Sequence, residues 1–101
     1  MRIYVILDID VHDSEKYLEY KKQVPAIIQK HGGRYLVRGG DIITLGEWKP
    51  ERIVMLEFPS FDNLLEFVNC PEYQPVKRIR EEAATSRTIA VEGCDEDFPA
   101  I

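Results

Sequence analysis

The stretch Arg2-Ile3-Tyr4-Val5-Ile6-Leu7-Asp8-Ile9-Asp10-Val11 places an aliphatic residue at every odd position from Ile3 to Val11. Its even positions hold Arg2, Tyr4, Ile6, Asp8 and Asp10. Successive side chains of a strand point to opposite faces. The alternation therefore predicts a strand with one wholly aliphatic face and one mixed face.

Outward from this strand the chain alternates between two periodicities. Asp13 or Ser14 can cap a helix in which Tyr17, Leu18, Val24, Ile27, Ile28 and His31 recur at helical spacing. Pro25 removes an amide donor inside that helix, so a kink or a loosened turn is expected there. Gly32-Gly33 ends it. Arg34 to Arg38 reads as a short strand and Gly39-Gly40-Asp41 as a bend or bulge. Ile42 to Leu45 extends that strand or opens a hairpin arm, and Gly46 to Glu51 is a turn. Arg52 to Phe58 alternates again, with Val54, Leu56 and Phe58 on one face and Ile53, Met55 and Glu57 on the other. Ser60 caps a second helix, which Asn69-Cys70-Pro71 interrupts. A further helical stretch turns Val76, Ile79 and Ala83 inward, and Ser86 to Glu92 forms the last strand. The order β-α-β-β-α-β is an α+β, ferredoxin-like arrangement: an antiparallel sheet with two helices on one face. Right-handed crossovers put the first and third strands in the centre.

The chain has 101 residues, enough for one domain, read as residues 1–93 followed by an acidic tail at 94–101. Lys plus Arg is 13 and Asp plus Glu is 18, a net charge of −5. That sign disfavours nucleic acid and anionic membrane surfaces as partners. No apolar run approaches the ~20 residues of a membrane span, and the N-terminus lacks the features of a signal peptide. Cys70 and Cys94 form no C-x-x-C pair and read as free thiols, which points to the cytoplasm.

With both helices on one side, the other sheet face is expected to carry Tyr4, Ile6, Leu36, Ile53, Met55 and Ala90 beside Arg34, Arg38, Asp8, Glu57 and Glu92. So much bare apolar area calls for a second copy packed sheet against sheet, a homodimer. A partly polar cavity between the sheets is then the place for a small-molecule ligand.

Tyr4-Val5-Ile6, the run Gly32-Gly33-Arg34-Tyr35-Leu36-Val37-Arg38-Gly39-Gly40, Trp48, Glu57-Phe58-Pro59-Ser60, Pro71-Glu72-Tyr73-Gln74-Pro75 and Val91-Glu92-Gly93 resemble a bacterial family of uncharacterised function in the dimeric α/β-barrel superfamily. The resemblance covers about residues 2 to 93. It implies a ferredoxin-like protomer and a homodimer whose two sheets form a barrel. Superfamily relatives include cofactor-independent monooxygenases, haem-degrading enzymes, dehalogenase-like and lactone isomerases, and ligand-sensing domains. The fold does not choose among them.

The candidate site is Tyr4, Arg38, Trp48 and Glu57. Strand parity puts Tyr4 and Glu57 on the cleft face, and Arg38 joins them provided no bulge precedes it. Arg38 offers a planar donor fork for a carboxylate or enolate. Glu57 serves as a base if burial raises its pKa, and Trp48 supplies an apolar wall. Arg38 and Glu57 are thus the catalytic candidates, for monooxygenase-like or isomerase-like chemistry on a small carbonyl or hydrophobic compound. The plainer alternative is a buried ion pair with Trp48 packed at the dimer seam, in a non-catalytic stress-response or ligand-sensing module.

No metal or other cofactor is expected. Asp8 and His12 would stand ~13 Å apart along a strand, too far to share one ion. His31 suits the open carbonyls of a helix end, and no serine sits in a nucleophile elbow. Lys77, Arg78 and Arg80 read as a solvated helix face, and Cys70 as an inert thiol.

Overall fold

The structure, a computed structural model, describes residues 1–94. Its elements are β1 (Ile3–Val11), α1 (Ser14–Lys30), β2 (Arg34–Arg38), β3 (Ile53–Phe58), α2 (Phe61–Asn69), α3 (Tyr73–Ala83) and β4 (Ala84–Glu92). The sheet order is β2-β3-β1-β4, with every pairing antiparallel. The fold is α+β, with the first and third strands central. The aliphatic face of β1 is buried from Ile3 to Ile9, together with Val54, Leu56 and Phe58 of β3. Tyr17, Tyr20, Val24 and Ile28 of α1, and Leu64, Phe67, Tyr73 and Val76 of α2 and α3, cover it.

Local chemistry sets the element ends. Asp13 accepts from the Lys16 amide at 3.1 Å to cap α1, and the Ser60 hydroxyl accepts from the Asn63 amide at 3.2 Å to cap α2. Between α2 and α3 the Gln74 side-chain amide donates to the Val68 and Cys70 carbonyls at 2.9 and 3.0 Å, stitching the break before Pro71. Gly32 takes the left-handed φ of 80° that closes α1. Gly33 is required for space: a Cβ there would lie 2.7 Å from Ile28 and from the Phe58 ring.

The structure answers several expectations. Through Pro25 the helix α1 is continuous, and the amide donor lost there is replaced from outside the helix. The Lys21 carbonyl, whose usual partner would be the amide of residue 25, accepts instead from an Arg38 guanidinium NH2 at 2.9 Å. Ile42 to Leu45 forms no strand, and Ile43 and Leu45 stand 85% and 96% exposed. The bulge in β2 lies at Leu36, before the Gly39-Gly40 pair: Tyr35 faces Leu56 and Val37 faces Met55, with Leu36 the extra residue. From there on β2 reverses parity. Strand β4 begins two residues earlier than expected, and its faces are the reverse of those assigned. Ile89 and Val91 pair with Ile6 and Tyr4 on the open face, whereas Ala90 and Glu92 pair with Val5 and Ile3 on the helix side. Apart from Cys94, the 94–101 tail lies outside the described residues.

Candidate functional site

The four residues singled out do not converge. Because of the Leu36 bulge, Arg38 pairs in register with Val54 and so takes the helix side of the sheet. Its guanidinium carbon sits 4.6 Å over the Tyr35 ring, and its NH2 holds the Lys21 carbonyl. It does not reach Glu57, and the pairing expected between them is replaced by another.

Glu57 binds Arg34 instead. The Arg34 Nε and NH2 donate to Oε1 and Oε2 at 3.1 and 3.5 Å, and the Arg2 Nε lies 3.5 Å from Oε1. Tyr4 stands directly across the ladder. The hydrogen bond from Arg34, with the charges of Arg34 and Arg2, holds the Glu57 carboxyl below the usual carboxylate range, outweighing its desolvation. A general base near neutral pH needs the opposite shift. The geometry gives Glu57 the character of an ion-paired anchor that is ionised at neutral pH.

Trp48 brings a different carboxylate into play. Trp48 and Glu51, between β2 and β3, lie against the open face, where Trp48 Nε1 donates to Asp8 Oδ2 and the Glu51 amide donates to Asp8 Oδ1, both at 3.2 Å. Arg87 NH2, across the β1–β4 ladder, is 3.6 Å from Asp8 Oδ2. The Asp8 side chain is only 11% exposed, against 83% for Arg87. Ile6, Asp8, Trp48, Arg87 and Ile89 enclose a pocket of about 180 Å³. Thr85 and Lys49 border a second, polar hollow beside it. Sequence reasoning missed Arg87 and gave Asp8 no role. The signal was the cross-strand register, which sets an acid opposite a base once β4 has the correct parity.

The remaining candidates have structural partners. His12 Nε2 lies 3.0 Å from the Thr85 hydroxyl, and His31 Nδ1 lies 2.9 Å from the Ile27 carbonyl at the end of α1. Among the described residues no cluster of His, Cys, Asp or Glu is arranged to hold a metal ion. No described helix is long and apolar enough to cross a membrane.

Residues 2–94 match the family described as Domain of unknown function (DUF1330). The chain belongs to that family. No curated protein matches this DUF1330 chain significantly. Among solved structures it is similar to a Rhodopseudomonas palustris protein of unknown function, with a TM-score of 0.77 at 18% identity over 93% of this chain and 83% of that one. It is also similar to a dimeric ferredoxin-like protein of unknown function from Jannaschia, with a TM-score of 0.73 at 10% identity over 92% and 100% of the two chains. SnoaB, a cofactor-independent oxygenase from Streptomyces nogalater, aligns with a TM-score of 0.66 at 11% identity over 95% and 96%. At these identities the DUF1330 chain shares their fold.

Proposed function

We propose that two copies of this DUF1330 chain pack open face to open face and bind a small molecule in the cleft between them. The ligand class is a compound with an apolar or aromatic body and an anionic group. The observation that carries this reading is the pocket at Ile6, Asp8, Trp48, Arg87 and Ile89. At about 180 Å³ it is smaller than the roughly 300–1,000 Å³ of complete small-molecule sites. It opens on a sheet face where Ile89 and Val91 stand 62% and 47% exposed. A second sheet laid across that face covers those side chains and closes the pocket. Two carboxylates on that face are already paired, Asp8 with Arg87 and Glu57 with Arg34, which lowers the cost of burying them. The Jannaschia neighbour, described as dimeric, supports the assembly.

Within the pocket, Asp8 has its oxygens committed to Trp48, Glu51 and Arg87, so it serves as a strut. Arg87 keeps most of its donor fork free for an anion. Trp48 presents an indole face to the ligand body. With both half-buried carboxylates tied to arginines, the arrangement favours binding over proton abstraction.

The test is native mass spectrometry of protein purified from its own host, followed by the same measurement on Trp48→Ala and Arg87→Gln. A dimer carrying a co-purifying small molecule, lost in both variants while the dimer persists, is the expected result. A monomeric mass at micromolar concentration contradicts the assembly, and a ligand retained by both variants contradicts the site.

A further inference from the structure

On the helix side of the sheet, away from the cleft, a groove of about 440 Å³ is lined by Leu18, Lys21, Lys22, Arg38 and Arg52. Four of these five residues are cationic and none is acidic, in a chain whose net charge is −5. Among the described residues Lys21, Arg38 and Arg52 enter no salt bridge, while Lys22 meets only Glu19 at 3.6 Å along the helix. Like charges repel, and unpaired cations gathered on one wall are destabilising unless a counter-ion joins them.

The two guanidiniums are also held in place. Arg38 is fixed over Tyr35 and by the Lys21 carbonyl. Arg52 lies with its guanidinium carbon 5.8 Å from the Tyr17 ring centroid, and its Nε is buried without a hydrogen-bond partner. It also occupies the space that a side chain at residue 39 would fill, where Gly39 has a left-handed φ of 70°. A fork anchored as Arg38 is, beside a closely packed Arg52, loses less conformational freedom on binding an anion than a free side chain does. We infer that this groove is a binding site for a small phosphate-bearing anion, with Arg38 and Arg52 as the donor forks and Lys21 and Lys22 as flanking point charges. Phosphate oxygens match the fork geometry, and the groove is open enough to admit a small anion from solvent. The acidity of the rest of the chain favours a discrete anion over a nucleic-acid strand. The inference needs neither the dimer nor the cleft ligand.

The experiment titrates inorganic phosphate, and separately phenyl phosphate, into isotopically labelled full-length protein at constant ionic strength, with chloride as the reference. Saturable shifts of the Lys21, Gly39 and Arg52 backbone amides are expected. Lys21→Gln, a change at a half-buried position that leaves the guanidiniums in place, should weaken binding several-fold. Arg52→Gln should weaken it about tenfold or more, with circular dichroism confirming that it folds. Lys30→Gln on the same helix removes a cation outside the groove, one that pairs with Glu72, and should leave affinity unchanged. Tighter binding of phenyl phosphate than of inorganic phosphate assigns a phosphate ester as the ligand, and equal binding assigns the free ion. Linear shifts indistinguishable from those of chloride, or a Lys21→Gln protein that binds as wild type does, overturn the inference.

Discussion

Replacing Arg38 with Met tests the role the structure gives it. Arg38 supplies the Lys21 carbonyl with the donor that Pro25 lacks. An unsatisfied buried carbonyl costs roughly 1–3 kcal/mol. Arg38 is exposed and Lys21 only half-buried, so water partly compensates, and the lower end, about 1 kcal/mol, applies. Loss of the cation stacked on Tyr35 at an exposed site adds about 0.5–1 kcal/mol. Arg38→Met should therefore lose about 1.5–2 kcal/mol, a fall in Tm on the order of 10 °C. The decisive arm is the Pro25→Ala background. There the backbone regains an amide that can bond the Lys21 carbonyl, so the same Arg38→Met change should cost only the stacking contribution. The coupling between the two substitutions should be about 1 kcal/mol. Urea unfolding followed by far-ultraviolet circular dichroism, at one fixed protein concentration, measures all four corners. Additivity within roughly 0.3 kcal/mol would refute the carbonyl-capping role.

Three further outcomes follow from the packing and the charges. Glu57 has a folded-state pKa below its unfolded value, so its pairing stabilises the fold above the unfolded pKa of about 4.3 and is lost as pH falls through the folded pKa. Tm should fall on acidification, and less steeply for Glu57→Gln; identical slopes would contradict the pairing. Gly33→Ala pushes a methyl against Ile28 and Phe58 and should destabilise by about 1–3 kcal/mol in the same urea assay. Met55→Lys places a charge at the centre of the open face and should convert the proposed dimer to monomer by light scattering, since an unpaired buried charge costs several kcal/mol; a dimer that survives it places the interface elsewhere.

The fold was legible because its central strands are strongly patterned. The alternation through Ile3, Val5, Leu7 and Ile9, repeated at Val54, Leu56 and Phe58, leaves one arrangement of the aliphatic faces. Ser60 before Phe61 marked its helix start in the same direct way. The site was less legible because it depends on two counts the sequence does not display. Arg34 and Arg38 have the same parity in the sequence, and only the extra residue at Leu36 sends one to Glu57 and the other to α1. No glycine or proline marks that position. Strand β4 mixes Thr85, Ser86, Arg87, Thr88 and Ile89 with little contrast between faces, so its register had to come from pairing with β1. The bonds from Trp48 and Glu51 to Asp8 arise from a segment without regular structure, beyond the reach of periodicity.

The hold of Asp8 on Trp48 also decides what an optical experiment on this protein measures. Trp48 is the single tryptophan, and its indole is tied to the body by one hydrogen bond. Among the described residues, 40–51 contribute no backbone-to-backbone hydrogen bond, so the segment can lift away at far lower free energy than the sheet unfolds. Intrinsic fluorescence therefore watches a strap release while circular dichroism watches the sheet and helices melt, and the two midpoints should separate. A molecule stacked on the indole raises the first midpoint and leaves the second nearly in place, so the gap between two spectroscopic curves becomes a screen for ligands whose identity need not be known beforehand.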